Sequence, residues 1–205
     1  MTREELLERL RSETKVLDNP EIERVFSLVN RADFVHPDYE FEAYEDYPLP
    51  IADGESMLQP TTAAFILELL GTEIGDLVLQ IGTGTGWMTT LLSYLAGHEG
   101  FVYGTEIRPE LKAESLANVE KYDRANIGIE DATNDWGLPK SGPYNRILVT
   151  SAVEEIPREL LDQLAVGGVL VVPVSGVLTR IQKVNEVDID MAEYPGFSFE
   201  PLLTE

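Results

Sequence analysis

Apolar residues along this chain switch between two spacings. In the first sixty residues they recur every three or four positions. Leu6, Leu7 and Leu10, with Val16 and Leu17 continuing the stripe, predict a helix over residues 3–17. Ile22, Val25, Phe26 and Val29 predict a second over 20–30, capped by Asn19 and opened by Pro20. An irregular aromatic stretch follows from Phe34 to Tyr47, and then Pro48-Leu49-Pro50-Ile51. Gln59-Pro60 opens another amphipathic helix (Ala63, Ala64, Ile66, Leu67, Leu70) that Gly71 closes. Beyond it, short apolar runs alternate with helical stripes: strand 77–81, helix 87–96, strand 101–105, helix 109–121 and a short strand 126–129. Strand 145–150, helix 157–164 and strand 169–174 after Gly167-Gly168 continue the pattern. The tail, 179–205, reads as one or two more strands, Ile181 to Val187 and Phe197-Ser198-Phe199. Such alternation predicts an α/β fold with a doubly wound, mostly parallel sheet beneath an N-terminal helical cap. A ligand would sit at the carboxyl ends of its strands.

The most telling segment is Leu77-Val78-Leu79-Gln80-Ile81-Gly82-Thr83-Gly84-Thr85-Gly86-Trp87. A buried strand runs into three glycines at alternate positions and then into a helix. Glycine removes the Cβ that would keep a nucleotide-like ligand away from the backbone. Twenty residues after Gly86, Glu106 ends the next strand, where an acid can accept hydrogen bonds from both hydroxyls of a ribose. A dinucleotide fingerprint would place a third glycine where Trp87 stands, to pack beside a pyrophosphate. The spacing here suits an adenosine cofactor without one, above all S-adenosylmethionine (SAM).

Composition narrows the partners. Among 205 residues there are 37 acidic and 15 basic side chains, a net charge of −22. That balance argues against nucleic acid and anionic membranes, both of which need clustered Lys and Arg. No cysteine is present, so thiol and disulfide chemistry is excluded. His36 and His98 stand apart without metal-ligand spacing, so no metal is expected. With neither a signal peptide nor an apolar run of membrane-spanning length, the expectation is a cytoplasmic, monomeric protein. One domain is expected over 1–205, with the cap at 1–57, the cofactor-binding core at 58–178 and the last strands at 179–205.

Taken in order, several segments resemble the protein-L-isoaspartate (D-aspartate) O-methyltransferase family over nearly the whole chain. They are Arg31-Ala32-Asp33-Phe34-Val35, Ala43-Tyr44-Glu45-Asp46, Pro48-Leu49-Pro50-Ile51, Gln59-Pro60, Val78 to Gly86 and Pro143-Tyr144. Ile156-Pro157, Leu160, Gln163-Leu164, Gly167-Gly168 and Val171-Val172-Pro173-Val174 complete the match. The resemblance implies a Rossmann-like, class I SAM-dependent methyltransferase. Its expected acceptor is the carboxylate of an L-isoaspartyl (or D-aspartyl) residue in aged proteins or peptides, and its product S-adenosylhomocysteine. It assigns Gly82, Thr83, Gly84, Thr85 and Gly86 to the methionine and ribose end of SAM, and Glu106 to the ribose hydroxyls. Asp131 would hold the adenine amino group beside Ala132, and Ser56 and Gln80 would border the same pocket.

The chain also departs from the family. Where the family reads Thr-Ile-Ser-Gln/Ala-Pro this sequence has Ser56-Met57-Leu58-Gln59-Pro60, so Leu58 occupies the place of the active-site serine. Gln80 replaces an acid, Glu130-Asp131-Ala132 a Gly-Asp-Gly, and Asn145 an Asp. A carboxylate with a pKa near 4 is already ionised at pH 7, so its methylation needs no general base. The missing hydroxyl would instead have positioned the acceptor. Ser56 lies on the same side of an extended segment but roughly 6–7 Å away, too far simply to take over. Weak or redirected methylation is therefore expected. The alternatives are a silent SAM-binding or partner-binding relative, a methyltransferase for another carboxylate and, more remotely, a nicotinamide-dependent oxidoreductase.

Overall fold

The computed structural model describes residues 1–17, 19–51, 54–133 and 135–203. Two N-terminal helices, α1 (Arg3–Ser12) and α2 (Pro20–Leu28), lead through two 3-10 turns into a two-stranded antiparallel strap, β1 (Leu49–Pro50) and β2 (Ser56–Met57). Helix α3 (Pro60–Leu70) follows, and then the alternating core: β3 (Leu77–Ile81), α4 (Trp87–Ala96), β4 (Phe101–Glu106), α5 (Pro109–Glu120), β5 (Ile127–Asp131), β6 (Tyr144–Val149), α6 (Arg158–Gln163) and β7 (Leu164–Val174). Strands β8 (Val177–Lys183) and β9 (Ile189–Tyr194) end the chain's regular structure.

Seven strands form one sheet in the order β5-β4-β3-β6-β7-β8-β9, parallel from β5 to β7 and antiparallel thereafter. The winding reverses between β3 and β6, which opens a crevice at their carboxyl ends. One face of the sheet is covered by the N-terminal helices together with α3 and α4. Leu10, Ile22, Val25, Leu67, Val78 and Leu91 share that core, so the cap is packed on the same apolar layer as the central strand. Leu79, Ile147, Leu160 and Leu170 fill the other face. Among the described residues no helix is long and apolar enough to cross a membrane.

Several expected boundaries moved. Helix α1 stops at Ser12 because Lys15 adopts φ +55°, yet Leu17 is still buried against the cap. Strand β7 begins at Leu164 and carries Gly167-Gly168 within it. The run from Ile181 to Val187 is cut at Asn185, whose side-chain oxygen accepts the N–H groups of Val187 and Asp188 and turns the chain into β9. Phe197 and Phe199 form no ladder. Phe197 stacks on Phe65 of α3 with ring centroids 5.2 Å apart.

Candidate active site

The crevice holds a cavity of about 700 Å³ walled by the β3–α4 turn, the end of β4, the strap and the C-terminal tail. Its floor is the glycine turn. Gly82, Gly84 and Gly86 adopt φ of +78°, +53° and +89°, values that side chains disfavour. A Cβ on Gly84 would only touch Ile51, at the end of the strap, at 3.4 Å, so it is the positive φ and not crowding that calls for glycine there. The loop is braced from three sides. The amide of Gln80 donates to the carbonyl of Gly82 (2.9 Å) and accepts from the Thr89 hydroxyl (2.8 Å). Thr150, just past β6, donates to Gly82 O (3.1 Å), and Asn118 on α5 donates to Thr85 O (3.0 Å).

Glu106 ends β4 and is only 4% exposed. Its carboxylate is compensated by backbone donors: Oε2 accepts from Gly84 N (2.8 Å), and Oε1 from Ile107 N (2.9 Å) and Arg108 N (3.1 Å). A carboxylate offers about four lone-pair sites, so one remains on Oε2 for a further donor. The Thr83 hydroxyl is buried with no hydrogen-bond partner among the described residues. The cavity thus brings a buried, backbone-compensated carboxylate with one acceptor position free up to the glycine turn, an arrangement that can take a ligand hydroxyl.

Arg31 fixes the opposite wall. It is 2% exposed, and its guanidinium donates to the carbonyls of Ala43 (2.8 Å), Glu45 (3.2 Å), Tyr47 (3.3 Å) and Leu58 (3.0 Å) while lying 5.2 Å from the Trp87 ring centroid. Burial pulls its pKa down to about 10, which leaves it charged at neutral pH. One cation therefore ties the 43–47 segment and the Leu58 backbone to the first residue of α4. Leu58 itself lines the cavity, with its partly buried side chain packed against the apolar core.

Of the residues expected here, Ser56, Leu58, Gln80, Gly82, Thr83, Gly84, Thr85, Glu106 and Ala132 line the cavity. Two do not. Gly86 packs helices instead, since a Cβ there would meet Ser115 Oγ at 2.7 Å and Val119 Cγ1 at 3.0 Å on α5. Asp131 is not among the lining residues: its side chain is 74% exposed and pairs with Lys112 at 2.9 Å. Asn145 accepts the N–H of Leu77 (2.8 Å), a task that amide and carboxylate oxygens perform alike.

The sequence reading missed the tail. Ala152 N donates to Glu200 O (2.7 Å) and Leu202 N to Ala152 O (2.8 Å), which lays residues 198–203 along the cavity rim. There the Glu200 carboxylate accepts from both Ser56 N and Ser56 Oγ, each at 2.9 Å. Only the Phe-Glu-Pro spacing after the last strand could have hinted at it, and that signal has no periodicity.

A glycine turn after the central strand, an acid ending the next one and a cavity at the switch point define the class: a Rossmann-like methyltransferase fold. The comparisons narrow it. A profile of the protein-L-isoaspartate(D-aspartate) O-methyltransferase family matches residues 1–204. The protein-L-isoaspartate O-methyltransferase of Anaeromyxobacter dehalogenans (strain 2CP-1) is 43% identical over 72% of this chain and 70% of its own length. That of Methanopyrus kandleri is 35% identical over 99% and 92%. A Plasmodium falciparum structure assigned to the same enzyme, in complex with S-adenosyl-L-homocysteine, superposes with a TM-score of 0.88 over 100% of both chains at 22% identity. The chain belongs to the protein-L-isoaspartate(D-aspartate) O-methyltransferase family.

Proposed function

We propose that this protein transfers the methyl group of SAM to the side-chain carboxylate of L-isoaspartyl residues in damaged proteins and peptides. The observation that carries this reading is the family match over residues 1–204, joined to a cavity whose floor and strap are built from the matching segments. SAM fits the groups present. Glu106 has an acceptor position free for a ribose hydroxyl, and Gly82 and Gly84 bring backbone without a side chain to the cavity wall. Ala132 and Asp135 border the cavity with Glu106 and are candidates for the adenine end, Asp131 being paired with Lys112.

When bound, SAM supplies an electrophilic methyl on a sulfonium, with a neutral thioether as leaving group. The acceptor carboxylate is ionised at pH 7, so the chain need move no proton. Its own contribution is placement: the braced turn and the Arg31-tethered strap hold two walls of one cavity in fixed relation. Misplacement of about 1 Å can cost on the order of 100-fold, which is why a leucine at position 58 is expected to slow the reaction rather than abolish it. Leu58 is also the observation that favours a second reading, a relative that binds SAM but has lost the transfer step. Calorimetry with S-adenosylhomocysteine and with NAD, followed by mass spectrometry of an isoaspartyl peptide incubated with SAM, tests the proposal. Binding of the first ligand alone and a gain of one methyl on the peptide are expected. Cofactor binding without peptide methylation supports the second reading.

A further inference from the structure

Strand β9 is an edge of the sheet, with β8 on one side and no strand on the other. Where β8 turns into β9, the N–H of Val184 donates to the carbonyl of Asp188. Bonded and non-bonded pairs alternate along an antiparallel ladder, and Ile189, Met191 and Glu193 stand opposite Lys183, Ile181 and Thr179. Those three residues therefore aim their backbone N–H and C=O groups away from β8, toward the open edge. Their side chains share a face with Ile181, which is buried in the core that Leu160 of α6 covers. The apolar stripe runs on past that core into solvent: Ile189 and Met191 are 45% and 51% exposed, and Val187 in the turn before them 88%. Lysine, proline or a bulge commonly keeps such an edge from pairing. Between Val184 and Tyr194 there is no Lys, Arg or Pro, and the charged residues are Glu186, Asp188, Asp190 and Glu193. Glu186 pairs with Lys183 at 3.7 Å and Asp188 accepts from Asn185, whereas Asp190 and Glu193 have no ion-pair partner among the described residues.

We propose that β9 is a docking edge for an extended cationic segment of another protein, which adds to the sheet as one further strand. The outward backbone groups of Ile189, Met191 and Glu193 supply the main-chain hydrogen bonds. Alternate side chains of an added strand fall on opposite faces of the sheet. Apolar residues of the segment would cover Ile189 and Met191, and the Lys or Arg residues between them would stand beside Asp190 on the other face. Charge decides between the possible occupants. A second copy of this chain would set two such edges together, bringing like carboxylates opposite one another on molecules that each carry −22. The same carboxylates attract a basic strand, so the edge is closed to its own kind and open to a cation.

The test uses the full chain and two short labelled peptides, one alternating lysine with valine and one alternating glutamate with valine. Binding is followed by fluorescence anisotropy at moderate salt, which screens attraction to the acidic surface at large. Amide shifts in ¹H–¹⁵N NMR locate the contact. The lysine peptide should bind saturably and move the amides of Ile189, Met191 and Glu193, and the glutamate peptide should not bind. Asp190→Asn with Glu193→Gln should weaken binding by about 2- to 30-fold, the range of two cross-strand ion pairs. Met191→Pro removes an outward N–H and spares the bonds to β8, so it should weaken binding at least about tenfold while the melting midpoint stays close to wild type. Should that variant melt early, Ile189→Thr with Met191→Thr keeps the strand, removes the apolar cover and should weaken binding by about 3- to 30-fold. Equal binding of the two peptides, binding of neither, affinity unmoved by these substitutions or shifts confined to other parts of the surface overturns the proposal. So does a dimer in sedimentation equilibrium that Met191→Pro dissolves, because the occupant would then be a second copy.

Discussion

Replacing Glu106 by alanine probes fold and cofactor at once, and the structure separates the two effects. The carboxylate accepts three backbone N–H groups, from Gly84, Ile107 and Arg108, and is 4% exposed. Each net hydrogen bond to a charged group is worth about 1.5–3 kcal/mol, but neighbouring bonds to one group do not add, so the loss should be roughly 3–5 kcal/mol of stability. For a domain of this size each kcal/mol shifts the melting midpoint by about 2–4 °C, so the variant should melt about 6–20 °C below wild type. The acceptor position left on Oε2 admits one ribose hydroxyl, so affinity for S-adenosylhomocysteine should fall by about 10- to 150-fold on top of any loss through loosening of Gly84. Differential scanning fluorimetry and calorimetry, the latter well below the variant's midpoint, measure the two separately. Glu106→Gln keeps one acceptor oxygen and should lie between wild type and alanine in both. Wild-type stability and affinity in Glu106→Ala would refute the roles assigned to these three bonds and to the ribose contact.

Three further outcomes follow from named contacts. Leu58→Ser should raise kcat/KM for an isoaspartyl peptide by roughly 10- to 150-fold, the scale of one hydrogen bond to a charged group, when assayed at moderate salt to screen the protein's negative charge. An unchanged rate would show that position 58 does not orient the acceptor here. Arg31→Lys should cost on the order of 3 kcal/mol, because an ammonium cannot span four carbonyls and stack on Trp87 together, and a midpoint lowered by about 6–12 °C would register it. Asp131→Ala should change affinity for S-adenosylhomocysteine by less than about threefold, since an exposed ion pair with Lys112 contributes little; a large loss by calorimetry would return Asp131 to the adenine.

The parts of the fold that were legible in the sequence are those set by local rules. Strand β3, the glycine turn and α4 stand where the apolar run, the glycines and the helical stripe placed them, and the Asn19 cap with Pro20 opens α2 as expected. Glu106 reached the cavity because strand and turn alone fix its position. What stayed hidden depends on contacts across long stretches of chain. The tail reaches Ser56 over 144 residues, and Arg31 reaches Leu58 over 27, with nothing local to mark either. The Asn185 turn was hidden inside an apolar run whose period suggested one strand. Asp131 stands at the place of the family's adenine loop, and its exposed pairing with Lys112 on α5 is another contact that nothing local marks.

The central claim is that this cavity methylates an isoaspartyl carboxylate without the family's serine. It is tested most directly by kcat/KM for two peptides of one sequence, one with an L-isoaspartyl and one with a normal aspartyl residue, using labelled SAM at moderate salt. The account predicts transfer to the isoaspartyl peptide at a rate that Leu58→Ser increases, with no more than background transfer to the aspartyl peptide. Equal rates on both peptides, or none on either from a protein that binds S-adenosylhomocysteine normally, would contradict it.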